Sequence, residues 1–106
     1  VNPNVEYLDN HFHPAVLQLI RRTIKSASDR GIWSGMCGEM ASDPYAAVIL
    51  MAMGISELSM SAPSIPRVKE MLRSVTYEEA QKHLAKVMEM ETGEQVLKYL
   101  HEALTH

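Results

Sequence analysis

The chain has 106 residues, a formal net charge of −3 and 46% hydrophobic residues. This composition is that of one globular domain, or of part of a larger one, and it excludes a disordered chain. Membrane insertion, a signal peptide and nucleic-acid binding are not expected, because the chain has neither a run of about 18 apolar residues nor a basic block.

The first predicted element is an amphipathic helix over residues 14–29. The dozen residues before it predict a loop with one helical turn at residues 5–8. Pro14 suits the first helical position, where a missing N–H costs nothing. Apolar residues then recur at helical spacing: Val16, Leu17, Ile20, Ile24 and Ala27. Gly31 is predicted to end the helix.

Two short strands are predicted on either side of the most apolar segment. Residues 32–36 are apolar and contain a glycine, which predicts a strand ending near Cys37 and a loop over residues 38–42. In residues 55–61 one set of side chains alternates with another: Ile55, Glu57, Ser59 and Ser61 with Ser56, Leu58 and Met60. This alternation predicts a second strand. Strands that alternate with helices pair in parallel through right-handed crossovers, so the pattern predicts an α/β fold.

The segment between these strands predicts a buried helix. Asp43 and Pro44 indicate a helix start, because a carboxylate can cap the helix and proline suits its first position. Residues 46–53 are apolar on every side, which is typical of a helix surrounded by other elements, and Gly54 ends it. Two strands offer too little partner surface for such a helix. We therefore expect a C-terminal fragment of a larger α/β domain.

The last part of the chain predicts three more helices. Ser64 can cap the first of them. Two capping boxes, Thr76 with Glu79 and Thr92 with Gln95, open the others, which are predicted to end near residues 90 and 104.

Cys37 is the most informative single residue. It is the only cysteine and lies between glycines at the end of a predicted strand, the edge where the active sites of parallel α/β folds gather. Its thiol could act as an acid, a nucleophile or a metal ligand, or the residue could be a small buried hydrophobe. Glu39 either holds this loop or is an exposed carboxylate. A lone free thiol indicates a reducing compartment, the cytoplasm.

Other candidate residues give weaker signals. A zinc site would need further ligands at fixed spacing around Cys37, and the sequence has none. His11 and His13, near Asp9, form a poorly supported metal group. Two histidines are expected to be solvated on helix surfaces: His83 and His101. Five methionines are expected to fill the core: Met51, Met53, Met60, Met71 and Met88.

Three motifs occur in order along the chain, from His13 to Ile20, from Gly35 to Pro44 and from Gly54 to Pro66. Together they resemble the phosphoenolpyruvate-utilising enzyme family. The match is closest to the C-terminal end of enzyme I of the bacterial sugar phosphotransferase system. It extends over nearly the whole chain and is weakest in the last helices.

The resemblance implies a fragment of a (β/α)8 barrel that binds phosphoenolpyruvate with Mg²⁺. A whole barrel needs about 250 residues, so this chain would supply the last two strands and their helices. Residues 1–75 would be the alternating α/β part and residues 76–106 a C-terminal helical tail. The family's magnesium ligands and phosphate-gripping arginines lie upstream of the matching segment. Three arginines here are expected to be surface charges: Arg21, Arg22 and Arg67.

The resemblance also implies an activity for the parent protein. Such an enzyme, a homodimer, moves phosphate from phosphoenolpyruvate to its own histidine and on to a histidine phosphocarrier protein for sugar uptake. The family's cysteine in the Met-Cys-Gly-Glu motif, here Cys37, donates a proton to enolpyruvate. No histidine of this chain matches the phosphorylated one, and Ser42 stands where relatives commonly have glycine. The isolated chain is expected to be inactive.

Two alternatives stay open. The chain could be a segment of a pyruvate dikinase or a phosphoenolpyruvate synthase, which share the Cys-Gly-Glu loop. It could also be a non-catalytic dimerisation module. The helical segment after Val75 favours the sugar-transport enzyme.

Overall fold

The computed structural model, which describes residues 11–104, combines several helices with a two-stranded parallel sheet. The elements in chain order are α1 (Pro14–Asp29), β1 (Gly35–Cys37), α2 (Glu39–Ser42), α3 (Pro44–Met53), β2 (Glu57–Ser59), a 3-10 helix (Ala62–Ser64), α4 (Ile65–Arg73), α5 (Tyr77–Val87) and α6 (Gly93–Leu104). The predicted α/β class is confirmed by this order and by the parallel pairing. The turn predicted at residues 5–8 lies outside the described residues.

The first helix has the predicted bounds. Pro14 occupies its first turn, and the Nδ1 atom of His13 accepts a hydrogen bond from the backbone N–H of Ala15 at 3.0 Å. His13 therefore caps α1, which satisfies one of the backbone donors that a helix start leaves without a partner. Leu17 and Ile24 are buried on the inner face of the helix.

The strands are shorter than the sequence predicts, because the residues before them complete helix ends. The N–H of Ile32 donates to the carbonyl of Ala27 at 2.8 Å, and the N–H of Ile55 donates to Leu50 at 3.2 Å. Ile32 and Ile55 are therefore held at helix ends, and the pairing of the two segments begins only where the carbonyl of Ser34 accepts from the N–H groups of Ser56 and Glu57.

The two strands have one covered and one open face. Their register pairs Gly35 with Glu57, Met36 with Leu58 and Cys37 with Ser59. The middle residues, Met36 and Leu58, pack against the core, whereas the first and last residue of each strand are exposed. Because side chains alternate across a strand, Cys37 and Ser59 lie side by side on the open face.

Helix α3 forms the centre of the hydrophobic core, as its apolar sequence predicts. It ends at Gly54, whose φ of 90° is a left-handed conformation that glycine adopts without steric cost. Seven of its residues are buried: Pro44, Ala46, Ala47, Val48, Ile49, Leu50 and Ala52.

The expected shortage of partner surface for α3 is wrong. Helices α1, α4, α5 and α6 all pack against α3, and the side-chain amide of Gln81 on α5 donates to the carbonyl of Ala52 at 2.5 Å. Helices α5 and α6 each bury an apolar stripe: Ala80, Leu84 and Val87 of α5, and Val96, Leu100 and Leu104 of α6. The C-terminal helices are therefore part of the core.

Both predicted capping boxes are present. The Thr76 hydroxyl accepts from the N–H of Glu79 at 3.1 Å, and the Glu79 carboxylate accepts from the N–H of Thr76 at the same distance. Thr92 and Gln95 make the equivalent pair at 3.1 and 3.2 Å. Helix α5 ends at Val87, three residues before the predicted end.

Two local predictions are wrong. Residues 39–42 form the one-turn helix α2 and not a loop. Ser64 makes no cap hydrogen bond, because the chain enters α4 through a 3-10 turn and Ser64 already has helical torsions, with φ −83° and ψ −20°. Its hydroxyl instead lies 3.2 Å from that of Ser61. Among the described residues, no helix is long and apolar enough to cross a bilayer.

Candidate functional site

Cys37 lies exposed at the carboxyl end of the parallel sheet. Beside it on β2 is Ser59, its partner in the strand register. In parallel α/β structures this edge is where ligands bind, because the loops that follow the strands meet there. The structure therefore places the predicted residue where a small molecule could reach its sulfur.

Gly38 turns the chain from β1 into α2 directly after the thiol. Its φ of 87° and ψ of −159° lie in a region that is essentially restricted to glycine. A Cβ built at this position would meet no atom within 4 Å. The backbone conformation, and not crowding, is thus the reason for a glycine here.

Ser42 is the last residue of α2 and bonds back to Gly38, which precedes the helix. Its backbone N–H and its hydroxyl both donate to the carbonyl of Gly38, each at 3.2 Å. A glycine, which the family resemblance implies at this position, would keep only the backbone bond. The serine therefore adds a hydrogen bond that holds α2 against the end of β1.

A shallow depression of about 410 Å³ opens at the carboxyl edge of the sheet. Its lining residues come from the end of β2 and from the segments that follow the two strands: Gly38, Ser42, Ser59, Met60 and Ser61. Cys37 is not part of this lining, but its chain neighbour Gly38 and its register partner Ser59 are. The depression therefore lies next to the thiol and could hold a small molecule there.

Magnesium does not fit the described residues. Among them, no group of three or more His, Cys, Asp and Glu side chains could hold a metal ion. His13 caps α1, and Asp9 and the side chain of Glu39 lie outside what the structure describes.

The position of Asp43 in the sequence predicts an ordinary helix cap, but its carboxylate is buried and lacks the expected cap hydrogen bond. It occupies the cap position of α3 but makes no cap hydrogen bond, and its Oδ2 is buried without a hydrogen-bond partner among the described residues. Burial raises the pKa of Asp43 above its usual value. The backbone N–H groups of Tyr45 and Ala46, and then the charges of His101 and Arg67, oppose this rise without cancelling it.

We expect the ionised Asp43 carboxylate to destabilise the fold. Because the folded pKa is raised above 3.8, the folded state binds the proton more tightly, and stability falls as the pH rises from about 3.8 through the folded pKa. Asp43→Asn should therefore gain on the order of 1 kcal/mol of unfolding free energy at pH 7, and little at pH 3.

Urea unfolding from pH 3 to pH 7 measures this difference. The matched control is Asp29→Asn, which removes an exposed carboxylate that pairs with Lys25 at 3.2 Å and should change stability by less than about 0.5 kcal/mol. A gain for Asp43→Asn that does not grow with pH would contradict the prediction.

The two histidines expected on helix surfaces differ. His101 is exposed but stacks on Tyr45, with 4.3 Å between the ring centroids and 19° between the ring planes. His83 is half-buried, and its Nδ1 lies 2.7 Å from the hydroxyl of Tyr99, so the prediction of a solvated His83 is wrong. The first contact joins α3 with α6 and the second joins the consecutive helices α5 and α6, and spacing within one helix predicts neither. The three arginines expected on the surface are exposed: Arg21, Arg22 and Arg67.

Four of the five methionines pack against the core as predicted: Met51, Met53, Met71 and Met88. Met60 instead lines the depression beside the thiol. Its position after the last residue of β2 places it in the loop of the candidate site.

Residues 1–77 match the family model described as PEP-utilising enzyme, PEP-binding domain. The chain belongs to this family. The resemblance seen in the three motifs is thereby confirmed, and the candidate site lies wholly within the matched part of this PEP-binding domain.

Several curated relatives are named "Phosphoenolpyruvate-protein phosphotransferase". That of Buchnera aphidicola subsp. Acyrthosiphon pisum is 36% identical over 105 residues, which cover 99% of this chain and 18% of the relative. That of Geobacillus stearothermophilus is 42% identical over 94% of the chain and 17% of the relative. The Haemophilus influenzae protein is 44% identical over 74% of the chain and 14% of the relative. The chain thus spans less than a fifth of the length of these relatives.

Proposed function

We propose that the chain is the C-terminal segment of a phosphoenolpyruvate–protein phosphotransferase, in which Cys37 donates a proton to enolpyruvate. The observation that carries the proposal is the exposed thiol at the carboxyl edge of the parallel sheet, in a chain of this family. The names of the relatives favour this enzyme over a pyruvate dikinase or a phosphoenolpyruvate synthase.

The chemistry suits a thiol. Departure of the phosphoryl group from phosphoenolpyruvate leaves an enolate, which becomes pyruvate when its methylene carbon takes up a proton. The S–H bond of Cys37 would break, the proton would join the carbon through the enolate's electron pair, and the carbonyl group would form. A positioned acid accelerates such a step, and the remaining thiolate can take the proton back in the reverse direction.

The proposed parent contains β1 and β2 as the last two strands of a (β/α)8 barrel. Support comes from the parallel pairing and from large apolar side chains left exposed, Leu19 at 65%, Ile32 at 57% and Trp33 at 69%. Further strands and helices of a parent would cover such residues.

The proposal assigns the remaining functions to other parts of the parent. Those parts would supply the magnesium ligands, the arginines that hold the phosphate, and the histidine that is phosphorylated. The parent would be a homodimer of the cytoplasm, where a thiol stays reduced, and would pass its phosphate to a histidine phosphocarrier protein for sugar uptake.

The isolated chain is expected to release no pyruvate from phosphoenolpyruvate. Among the described residues there is no group of side chains that could hold a metal ion, and the proposal places the histidine that accepts the phosphoryl group in another part of the parent. Protonation of the enolate cannot begin before the phosphoryl group has left. A pyruvate-release assay with phosphoenolpyruvate and Mg²⁺ measures this, with the full-length parent as the positive control. Magnesium-dependent release by the chain alone would contradict the proposal that other parts of the parent supply the magnesium ligands and the phosphorylated histidine.

The role of Cys37 is tested by Cys37→Ala in the full-length parent, scored by the rate of pyruvate formation. A pure dimerisation module would keep its association and its parent's activity after this substitution. A proton donor would lose activity and keep its fold.

A further inference from the structure

Ser59 is the residue closest to Cys37 across the sheet. The two are partners in the parallel register, each the last residue of its strand. Neighbouring strands lie about 4.8 Å apart. Because both side chains lie on the open face, a molecule in contact with the thiol also comes within reach of the hydroxyl.

Ser59 also differs from the other serines at this site in its hydrogen bonding. The hydroxyl of Ser42 donates to the carbonyl of Gly38, and that of Ser61 pairs with Ser64. Ser59 makes no side-chain hydrogen bond with any residue between 11 and 104. Of the three serines that line the depression, Ser59 is thus the one whose hydroxyl has no hydrogen bond to the described residues, so its O–H can turn toward a bound molecule.

We infer that Ser59 is a second catalytic residue of this site, whose hydroxyl donates a hydrogen bond to the enolate oxygen while Cys37 protonates the adjacent carbon. The inference rests on the proposed function. In the enolate, the oxygen and the methylene group are attached to the same carbon, so two donors side by side can address both. Ser59 keeps its proton throughout, and only the S–H proton is transferred.

The hydrogen bond should be stronger to the enolate than to phosphoenolpyruvate. In phosphoenolpyruvate this oxygen is esterified, and its charge develops only as the phosphoryl group leaves. A fixed donor aimed at developing charge lowers the barrier and contributes little to ground-state binding. Loss of the hydroxyl should therefore reduce kcat and leave KM for phosphoenolpyruvate nearly unchanged.

The test compares Ser59→Thr with Ser59→Val in the full-length parent, because these two side chains have the same shape and differ in the hydroxyl. The valine variant should lower kcat for pyruvate formation about 10- to 100-fold, and the threonine variant should recover most of it. The control is Ser28→Ala, an exposed serine in α1, which should match the parent. Thermal unfolding of each variant verifies that the fold is kept.

Oxalate, a planar dianion shaped like the enolate, separates this inference from the proposed function. With Mg²⁺ present, Ser59→Val should weaken oxalate binding about 10- to 100-fold relative to Ser59→Thr, whereas Cys37→Ala should bind oxalate like the parent. Equal oxalate affinity and equal kcat in the two Ser59 variants would overturn the inference, even if Cys37→Ala is inactive. Full activity of Cys37→Ala would instead overturn the proton-donor role, and the Ser59 result would stand by itself.

Discussion

Cys37→Ala in the full-length parent is expected to slow pyruvate formation about 10²- to 10⁴-fold, the contribution of a positioned general acid. The physical reason is that the alanine side chain has no acidic proton, so the enolate must take its proton from water, which is not held in position. Cys37 is exposed at the end of β1, so the substitution should change the unfolding free energy by less than about 0.5 kcal/mol. Steady-state pyruvate formation and thermal unfolding of the parent and the variant measure both quantities.

The stereochemistry of the new methyl group gives a second readout for Cys37. A thiol fixed on one side of the enolate delivers its proton to one face, whereas water reaches both faces. With phosphoenolpyruvate labelled stereospecifically at its methylene carbon, the parent should yield a chiral methyl group and Cys37→Ala a racemic one. An active variant that keeps the chirality would contradict the assignment, because another acid would then protonate the same face.

Leu50→Ala is expected to cost this chain about 3 kcal/mol of unfolding free energy. Leu50 is fully buried in α3, at the centre of the core, and its removal forfeits the transfer free energy of three carbons and leaves a cavity. Urea unfolding followed by circular dichroism measures the change. The matched control is Leu19→Ala, since Leu19 is 65% exposed in the isolated chain and should cost less than about 0.5 kcal/mol.

The comparison of these two leucines also tests whether α3 is buried in this chain. Equal losses for Leu50→Ala and Leu19→Ala would mean that the buried position of α3 in this chain is wrong. In the full-length parent, the proposed barrel would cover Leu19, so the Leu19 substitution should become more costly there than in the isolated chain.

Local signals predicted the helices well. The start of α1 at Pro14 and both capping boxes depend on bonds between residues at most four positions apart, which the sequence states directly. Burial of α3 follows from composition alone, because a helix with no polar side has no face to give to water. The family was also recognisable from the motifs, since residues 1–77 match its model.

Features that depend on contacts between separate elements could not be predicted from the sequence. The extent of β1 and β2 is one of them, because it is set by the residues that pair across the two strands. Asp43 resembles any helix cap in the sequence, and its unusual pKa comes from burial around its carboxyl group. The contact of His83 with Tyr99 needs α5 and α6 to meet.

The candidate site shows the same division. The sequence alone predicted the thiol, the glycines around it and its position at the end of a strand. Only the tertiary structure decided that Ser59 stands beside Cys37, because the two residues are 22 positions apart in the chain and their pairing depends on how α3, which lies between the strands in sequence, packs into the core. Residue types and short-range patterns are local properties of the chain, whereas neighbours across a sheet are set by the packing of the whole core.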